Sequence, residues 1–272
     1  MHTNGSRYVK ALIKLGGTLL DAPESCARLA REIAAAAREH EIAVVHGGGK
    51  QMTRFLGERG VESRFVNGLR VTTPEILDAV LKVFAGSVNT GLVAAFRAAG
   101  ANPVGLTGLD GGVLDAAPLD SALGHVGKPA HSDARLIEVL IGAGYLPVIA
   151  CVAGDARGAI YNVNGDQMAG ACAVQWGARK LIFLTDVAGV RGADGGIAAA
   201  LEANQALDLI RAGVASGGMQ AKLEAAIAAV GGGVREVLIA PGGEAGVVAR
   251  ALGGEGVGTR IESAKVEAGQ TR

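Results

Sequence analysis

Two lysines occupy positions where a protein interior does not ordinarily accept a charge. Lys14 interrupts the apolar stretch 11–15, two residues before a Gly-Gly pair. Lys222 borders the apolar stripe of a helix predicted at 219–230, within its first turn, where a cation opposes the helix dipole. A buried ammonium group needs an anionic partner or ligand. From the residues alone, a solvated surface lysine remains the alternative for each position.

Polar side chains cluster at a second predicted helix start. The segment 162–167, Asn-Val-Asn-Gly-Asp-Gln, ends an apolar stretch and begins a helix. Ordinary helix capping explains Asp166 in the first turn, but it does not explain two amides and a carboxylate together. Elsewhere Arg70 follows a glycine turn, where its planar guanidinium could hold a carboxylate through two parallel hydrogen bonds. Taken singly, Arg70 is equally consistent with an ordinary surface arginine.

Glycine clusters follow the first two predicted strands. Gly16 and Gly17 come after the first strand, and the triplet 47–49 comes after the second. Without side chains, such turns can bring backbone N–H groups against phosphoryl oxygens. Neither cluster has the spacing of the Walker-type or dinucleotide-binding motif, and glycine turns are common after strands. Each cluster could therefore equally be structural.

These residues are carried by alternating predicted strands and helices. Strands are predicted at 8–15, 42–45, 104–106, 147–151, 181–184 and 237–240, and helices at 26–37, 50–59, 74–86, 88–99, 133–142, 165–176, 205–212 and 219–230. The alternation predicts an open, mainly parallel α/β sheet with helices on both faces. Ligands of such sheets bind at the carboxyl ends of the strands, where the glycine clusters lie. The segments 67–73 and 110–128 are predicted hairpins.

Composition excludes several classes of protein. The 272 residues are 49% hydrophobic, enough for one large domain or two lobes. Lys plus Arg and Asp plus Glu each number 26, so no net positive charge attracts nucleic acid or an anionic membrane. No signal-peptide core or uninterrupted apolar stretch of about 20 residues is evident, and a cytoplasmic location is expected. Cys26, Cys151 and Cys172 are expected to be buried thiols rather than disulfides or metal ligands.

Six segments together resemble the motifs of the acetylglutamate kinases, within the amino acid kinase family. They are ALIKLGGTLLD (11–21), VVHGGGK (44–50), NGLRVT (67–72), YNVNGDQMAG (161–170), LTDVAGV (184–190) and SGGMQAK (216–222). NGLRVT and YNVN favour the acetylglutamate kinases, whereas the lysine–glycine and aspartate motifs belong to the wider family. The resemblance spans nearly the whole chain and implies a sheet of about eight strands between helix layers.

The resemblance implies phosphoryl transfer from ATP to the side-chain carboxylate of N-acetyl-L-glutamate, in arginine biosynthesis. It implies an N-terminal lobe, 1–177, for amino-acid binding and dimerisation, and a C-terminal lobe, 178–272, for ATP. Mg²⁺ would be held mainly by the nucleotide phosphates, with no metal site of the protein's own. The residues carried over are phosphoryl-binding Lys14 and Lys222 with Asp166 orienting both, substrate-binding Gly48, Gly49, Arg70 and Asn162, and phosphate- or nucleotide-binding Gly16, Gly17, Thr185, Asp186 and Met219.

The chemistry implied by the resemblance needs no general base. A side-chain carboxylate has a reference pKa near 4.3, so the acceptor is already ionised at neutral pH. Phosphoryl transfer mainly requires alignment and compensation of spreading negative charge. Two ammonium groups with Asp166 between them would supply that compensation, and the carboxylate would keep both protonated. His46, His125 and His131 are accordingly expected to be structural or surface groups.

Some positions depart from the family pattern and keep other acceptors open. Gly165 stands where many members have alanine, Thr90 stands where many have lysine, and 110–130 is only loosely similar. The alternatives are a kinase of carrier-protein-linked aminoadipate or glutamate, another kinase of the family, or a regulatory protein that binds nucleotide without turnover. The short stretch 1–7 lacks the N-terminal helix of arginine-inhibited hexameric members. A homodimer insensitive to arginine is therefore expected.

Overall fold

An eight-stranded, mainly parallel sheet runs through the protein, whose computed structural model describes residues 8–263. A π-helical segment, Leu81–Val88, joins the helices Pro74–Val80 and Asn89–Ala98. In chain order the elements are β1 (Lys10–Leu15), α1 (Pro23–Ala36), β2 (Glu41–His46), α2 (Gly49–Gly57), β3 (Phe65–Val66), β4 (Leu69–Arg70), α3 (Pro74–Val80), α4 (Asn89–Ala98), β5 (Pro103–Thr107), β6 (Asp115–Pro118), β7 (Val126–His131), α5 (Arg135–Gly142), β8 (Leu146–Ala150), β9 (Val152–Gly154), β10 (Ile160–Val163), α6 (Gly165–Trp176), β11 (Lys180–Thr185), β12 (Ala200–Glu202), α7 (Ala203–Arg211), α8 (Gly217–Gly231), β13 (Glu236–Pro241), α9 (Val247–Gly253) and β14 (Thr259–Glu262).

The strand order confirms the predicted open α/β sheet. The order is β12-β14-β13-β11-β1-β2-β8-β5, and the five neighbouring pairs from β13 to β5 are parallel. Only the β13–β14 pair is antiparallel, and β12 pairs in parallel with β14. The carboxyl ends of β1, β2 and β11 consequently meet at one edge, because parallel strands end on the same side.

Alternation along β1 decides which way Lys14 points. Ala11, Ile13 and Leu15 belong to the hydrophobic cluster formed with α1, α4 and α9. Leu12 belongs to the other cluster, which includes α6 and α8. Successive side chains of a strand alternate between faces, so Lys14 shares the face of Leu12. The lysine is thereby aimed at the helices that carry Asp166 and Lys222.

The hairpin β3–β4 presents Arg70 through a tight turn. Asn67 has a φ of 49° and Gly68 a φ of 78°. Two positive φ values at the centre of a two-residue loop are the signature of the hairpin turn favoured by Asn-Gly. The predicted hairpin at 67–73 therefore begins slightly earlier, at Phe65. The second predicted hairpin exists as the antiparallel pair β6–β7, which closes with β9 and β10 into a separate four-stranded unit.

The two helices predicted at 74–86 and 88–99 form one continuous helical segment, Pro74–Ala98, with the π-helical segment in its middle. Its 25 residues have a mean hydropathy of 1.5 over the most apolar window, and by length and composition alone it could cross a membrane. The expectation that no such segment exists overlooked it. Core helices of soluble proteins pass the same test, and Val80, Leu92 and Phe96 of this segment lie in the hydrophobic clusters.

The expected thiol state of the cysteines agrees with the structure. Cys151 and Cys172 are buried, Cys26 is half-buried, and all three are free. The predicted lobe boundary coincides with a change of element, since Gly177 ends α6 with a left-handed φ of 66° and β11 follows. The expectations about the N-terminal stretch 1–7 lie outside the described residues.

Candidate active site

Lys14, Asp166 and Lys222 form a buried charged triad. Lys14 Nζ lies 2.6 Å from Asp166 Oδ1, and Lys222 Nζ donates to Asp166 Oδ2 at 2.9 Å. The three residues expose 9% or less of their surface, so the surrounding protein screens these charges weakly. Each carboxylate oxygen serves one ammonium group. The triad therefore carries a net positive charge, as two cations face one anion.

Local structure fixes Asp166 at the start of α6. The Asn164 side chain caps the helix by accepting hydrogen bonds from the backbone N–H groups of Asp166 at 2.9 Å and Gln167 at 3.1 Å. An asparagine is among the best residues at this capping position. Asn164 was missed as a functional residue, although it lies within the quoted motif, because its role is to orient the backbone that carries Asp166.

Lys222 lies two residues further along its helix than the sequence predicted. The helix α8 begins at Gly217 rather than at Met219, which places Lys222 beyond the first turn and corrects the earlier placement. Gly217 has a φ of 55°, a conformation that permits this early start. The Lys222 ammonium also sits over the Phe183 ring, 5.2 Å from its centroid, a weak additional attraction for the cation.

The triad shifts the protonation equilibria of its members. Desolvation raises the pKa of Asp166, but attraction to Lys14 and Lys222 outweighs burial and leaves that pKa below its ordinary value. The pKa of Lys222 is lowered, first by burial and then by repulsion from Lys14, while Asp166 opposes both effects. The attraction of Asp166 thus favours the charged form of Lys222. That Asp166 keeps both lysines protonated stays a prediction.

A cavity of about 410 Å³ opens beside the triad at the carboxyl edge of the sheet. Its lining unites most residues predicted to bind the acceptor or the phosphoryl group: Lys14, Gly17, Gly48, Gly49, Arg70, Asn162 and Asp166. Gly48 is a necessary glycine, since a Cβ there would lie 2.8 Å from a Phe84 ring carbon. The N-terminus of α2, which starts at Gly49, has no side-chain cap and suits an anion.

Arg70 is a buried residue of the cavity lining and already has partners. Its Nη2 donates to Thr53 Oγ1 at 2.8 Å and to the Gly49 carbonyl at 3.3 Å, and its Nη1 donates to the Ser63 hydroxyl. The guanidinium stacks over Phe65, 4.6 Å from the ring centroid. Burial lowers the pKa of Arg70. An incoming carboxylate would replace neutral hydroxyl acceptors by a charged one, which strengthens the hydrogen bonds.

Asn162 is linked to Arg70 by hydrogen bonds through Thr72. Its Nδ2 donates to Thr72 Oγ1 at 3.1 Å, and that hydroxyl donates to the Arg70 carbonyl at 2.8 Å. Thr53, Ser63 and Thr72 were not singled out from the sequence. Their contacts connect segments far apart in the chain, which no local sequence pattern reveals. Of the three, only Thr72 lies in a quoted motif, as the last residue of NGLRVT.

Apart from Gly17, the residues predicted to bind phosphate or nucleotide lie outside the lining of this cavity. Thr185 ends β11 and donates its hydroxyl to Asp186 Oδ1 at 3.2 Å, while Asp186 is exposed and acts electrostatically on Lys222. Met219 is half-buried in the first turn of α8. The Gly16 N–H donates to the Leu184 carbonyl at 3.0 Å, so that amide is used by the β1–β11 edge. A Cβ on Gly16 would lie 3.1 Å from the Leu184 carbonyl oxygen. Glycine at this position therefore leaves room for the close approach of the two strands.

His46 is a buried, neutral structural group, as the sequence predicted. Its Nδ1 donates to the Gly47 carbonyl at 2.9 Å, because a carbonyl can only accept, and its Nε2 therefore accepts from Asn89 Nδ2 at 2.9 Å. Burial lowers the pKa of His46 to about 4. The histidine thereby supports the glycine turn without taking part in proton transfer at neutral pH.

Comparison with known proteins agrees with this geometry. The family model described as the amino acid kinase family matches residues 10–241. The chain is also 55% identical over 257 residues to an acetylglutamate kinase of Solibacter usitatus, which covers 94% of this chain and 100% of the relative. The chain belongs to the amino acid kinase family. An acetylglutamate kinase of Acidobacterium capsulatum is 44% identical over 236 residues, 86% of this amino acid kinase and 91% of the relative.

Solved structures share the fold of this amino acid kinase. The protein smu.665 of Streptococcus mutans superposes with a TM-score of 0.79 at 27% identity, covering 94% of this chain and 99% of that one. An N-acetylglutamate synthase of Neisseria gonorrhoeae, solved with coenzyme A and N-acetyl-glutamate, gives a TM-score of 0.83 at 26% identity. That alignment covers 94% of this chain and 60% of the synthase. The predicted fold and family are therefore both confirmed.

Proposed function

We propose that this amino acid kinase is an acetylglutamate kinase, which phosphorylates the side-chain carboxylate of N-acetyl-L-glutamate with ATP in arginine biosynthesis. The observation that carries the proposal is one cavity whose lining includes the Lys14–Asp166 pair together with Arg70 and Asn162. A dicarboxylate-derived substrate needs both sets of groups. One carboxylate must receive the phosphoryl group, and the other must be held. The acetylglutamate kinases at 55% and 44% identity support the same substrate.

The reaction proceeds without proton transfer. A side-chain carboxylate oxygen of the acceptor attacks the γ-phosphorus of ATP, a new P–O bond forms, and the bond to the β,γ-bridging oxygen breaks to release ADP. We assign Lys14 and Lys222 to the oxygens of the moving phosphoryl group, with Asp166 orienting both. Charge spreads over those oxygens in the transition state, and preorganised cations stabilise it there. Since the acceptor is already an anion at neutral pH, the neutral, buried His46 is not needed as a base.

The backbone at the glycine turns supplies further donors. We assign Gly17 to the phosphate side, and Gly48 and Gly49 to the acceptor, at the uncapped start of α2. Gly16, beside Gly17, contributes room rather than a free N–H group. Arg70 and Asn162 are assigned to the α-carboxylate of the acceptor.

ATP is assigned to the C-terminal lobe, 178–272, and the amino acid to the N-terminal lobe, 1–177. Thr185, Asp186 and Met219 lie where the ends of β11 and α8 would meet the nucleotide. Mg²⁺ on the nucleotide would neutralise part of the phosphate charge. Within residues 8–263 no group of three or more His, Cys, Asp or Glu side chains converges, and Asp166 is already paired. This donor set fits a cation carried mainly by the phosphates.

The resemblance to the family also supports a cytoplasmic homodimer, which sedimentation velocity would test. The decisive experiment on function measures ADP release by the purified chain with N-acetylglutamate, free glutamate or no acceptor, and traps the acyl phosphate with hydroxylamine. We expect ADP and hydroxamate in equal amounts, dependent on N-acetylglutamate. Turnover that is equal with free glutamate, or ADP release without hydroxamate, would overturn the proposal.

A further inference from the structure

Two turns that the proposed function assigns to different substrates are in direct contact. The turn after β1 (residues 16–21) is assigned to the phosphoryl group, and the start of α2 at Gly49 is assigned to the acceptor. Gly17 lies against this helix start so closely that a Cβ on it would be 3.1 Å from the Gly49 nitrogen. Their spacing therefore sets how far the phosphorus lies from the attacking oxygen.

Gln51, in the first turn of α2, links the two turns by a hydrogen bond. Its side-chain Nε2 donates to the Gly17 carbonyl at 3.1 Å. The same nitrogen lies 3.5 Å from Asp21 Oδ1, at the other end of the turn. The carbonyl of Gly17 can only accept, so it fixes which end of the amide faces it. Gln51 is thus a donor that the turn requires, not an interchangeable polar side chain.

The oxygen of the Gln51 amide indicates that the side chain keeps its position although this position is energetically unfavourable for the oxygen. Gln51 Oε1 is buried and has no hydrogen-bond partner among residues 8–263. A buried acceptor without a partner is unfavourable by about 1–3 kcal/mol. Such groups are rare in folded proteins and call for an explanation in terms of what the rest of the residue does. Here the compensating contact is the bond to Gly17.

A nearby ion pair makes a different contact and serves as a comparison. Arg54, one turn along α2, holds Asp21 Oδ1 at 2.8 Å. The Arg54 side chain is 59% exposed, so this pair is screened by solvent and contributes little. It also grips the far end of the turn, four residues from Gly17. Loss of Arg54 should leave the Gly17–Gly49 contact in place.

We propose that Gln51 is a positioning residue that sets the spacing between the phosphate-side turn at Gly16–Gly17 and the acceptor-side start of α2. The inference rests on the proposed function, because it assigns the two turns to the two reactants. In-line transfer requires reacting atoms about 3–3.5 Å apart, and a misplacement of about 1 Å can cost roughly 100-fold in rate. Gln51 is not among the residues that line the cavity beside the triad. It acts through Gly17.

The test compares Gln51→Met, which keeps the length without the donor, with Arg54→Met on the same helix. In saturating ATP and N-acetylglutamate, we expect Gln51→Met to lower kcat by about 10- to 100-fold. Both KM values should stay within about threefold, because binding groups are untouched. Arg54→Met should keep kcat within about twofold. A Gln51→Met kcat near the wild-type value, or a loss confined to KM, would overturn the inference.

A second variant gives a readout that a purely structural role would not move. In Gln51→Glu the carboxylate cannot donate to the Gly17 carbonyl, whereas the protonated acid can. The reference pKa of a glutamate is about 4.3, and burial raises it. We therefore expect the kcat deficit of Gln51→Glu, relative to wild type, to shrink between pH 8 and pH 5.5. The deficit of Gln51→Met should stay constant, and parallel profiles for the two variants would refute the inference.

Amide hydrogen exchange separates failure of this inference from failure of the proposed function. Wild-type turnover of N-acetylglutamate is measured first, and its absence would refute the function alone. Exchange of the segment 16–21 does not depend on activity. It should be faster in Gln51→Met than in wild type and unchanged around Gly17 in Arg54→Met, because a lost hydrogen bond loosens the turn locally. Equal exchange in Gln51→Met and wild type would refute the positioning role whatever the substrate proves to be.

Discussion

Replacing Asp166 by Asn should destabilise the protein severely, because it leaves two buried ammonium groups without their counter-ion. The gross attraction of Asp166 for Lys14 across 2.6 Å is about 6 kcal/mol at an effective dielectric constant near 20. Most of it offsets the desolvation of the charges. Removing one partner of a buried pair typically costs about 3–5 kcal/mol. The variant chain can limit that cost by giving up a proton from a lysine.

Deprotonation of a lysine limits the loss of stability in Asp166→Asn, and this limit depends on pH. Neutralising a lysine of reference pKa about 10.4 costs about 5 kcal/mol at pH 7 and about 2 kcal/mol at pH 9. A lysine whose pKa is lowered by folding loses its proton before the unfolded chain does, so the unfolded state binds more protons and stability rises with pH. The pKa of Lys222 is already lowered in the wild type and should fall further in Asp166→Asn. The gap in the free energy of unfolding should therefore narrow from pH 7 to pH 9.

The difference in the free energy of unfolding between wild type and Asp166→Asn should also disappear at acidic pH. The folded-state pKa of Asp166 lies below its ordinary value, so its stabilising effect is present above the unfolded pKa near 4. That effect is lost as pH falls through the folded pKa. Urea unfolding at several pH values, followed by the fluorescence of Trp176, measures the stability difference in both the acidic and the alkaline range. Trp176 is the single tryptophan, and it is buried at the end of α6.

The matched control is Asp208→Asn. Asp208 pairs with Arg211 at 3.3 Å on the surface of α7, with both side chains more than 70% exposed. Its loss should cost below about 1 kcal/mol and show no pH dependence between pH 7 and 9. If Asp166→Asn unfolded with the wild-type free energy at pH 7, or if the gap widened toward pH 9, the coupling inferred for the triad would be refuted.

Lys14→Ala and Lys222→Ala should each lower kcat by about 100-fold or more while the circular dichroism spectrum is kept, as for lost transition-state donors; near-wild-type kcat in a coupled ADP assay would contradict their role. Arg70→Lys should raise KM for N-acetylglutamate far more than KM for ATP in initial-rate kinetics, because a point charge cannot replace a planar fork; equal losses would argue against the clamp. Gly165→Ala should keep kcat within about threefold, because its methyl group would lie 3.4 Å from the nearest atom. Gly48→Ala should lose most activity, because its methyl group would lie 2.8 Å from a ring carbon of Phe84. Similar rates for the two variants would refute the packing argument.

The sequence was most informative where a residue broke its local pattern. Lys14 was unexplained by its apolar strand, and the two amides and one carboxylate around Asp166 were more than helix capping explains. The structure joins Lys14 and Asp166 in one ion pair. The strands were predictable because they are buried runs of apolar side chains. Lys222 was found for the same reason as Lys14, though its helix position was off by two residues because Gly217 can begin the helix in a conformation that other residues avoid.

The missed features depend on contacts between distant segments. Thr53 and Ser63 lie 17 and seven residues from Arg70, and no local pattern marks them as its partners. The continuous segment Pro74–Ala98 was read as two helices because a π-helical segment changes the side-chain period, and the expected 3.6-residue pattern breaks there. That segment carries Phe84, which lines the cavity and was not singled out from the sequence.

The arrangement of the triad explains how the protein can hold buried positive charges that would bind a ligand. Two lysines alone would repel each other in a buried place, and two carboxylates would cancel the attraction for a phosphoryl group. One carboxylate leaves a net charge of plus one, which the incoming phosphoryl oxygens can complete. Because each oxygen of Asp166 binds a different lysine, Lys222 of α8 can shift without releasing Lys14 of β1. The single aspartate at the start of α6 can therefore keep the lysine of each proposed lobe in register before the reactants arrive.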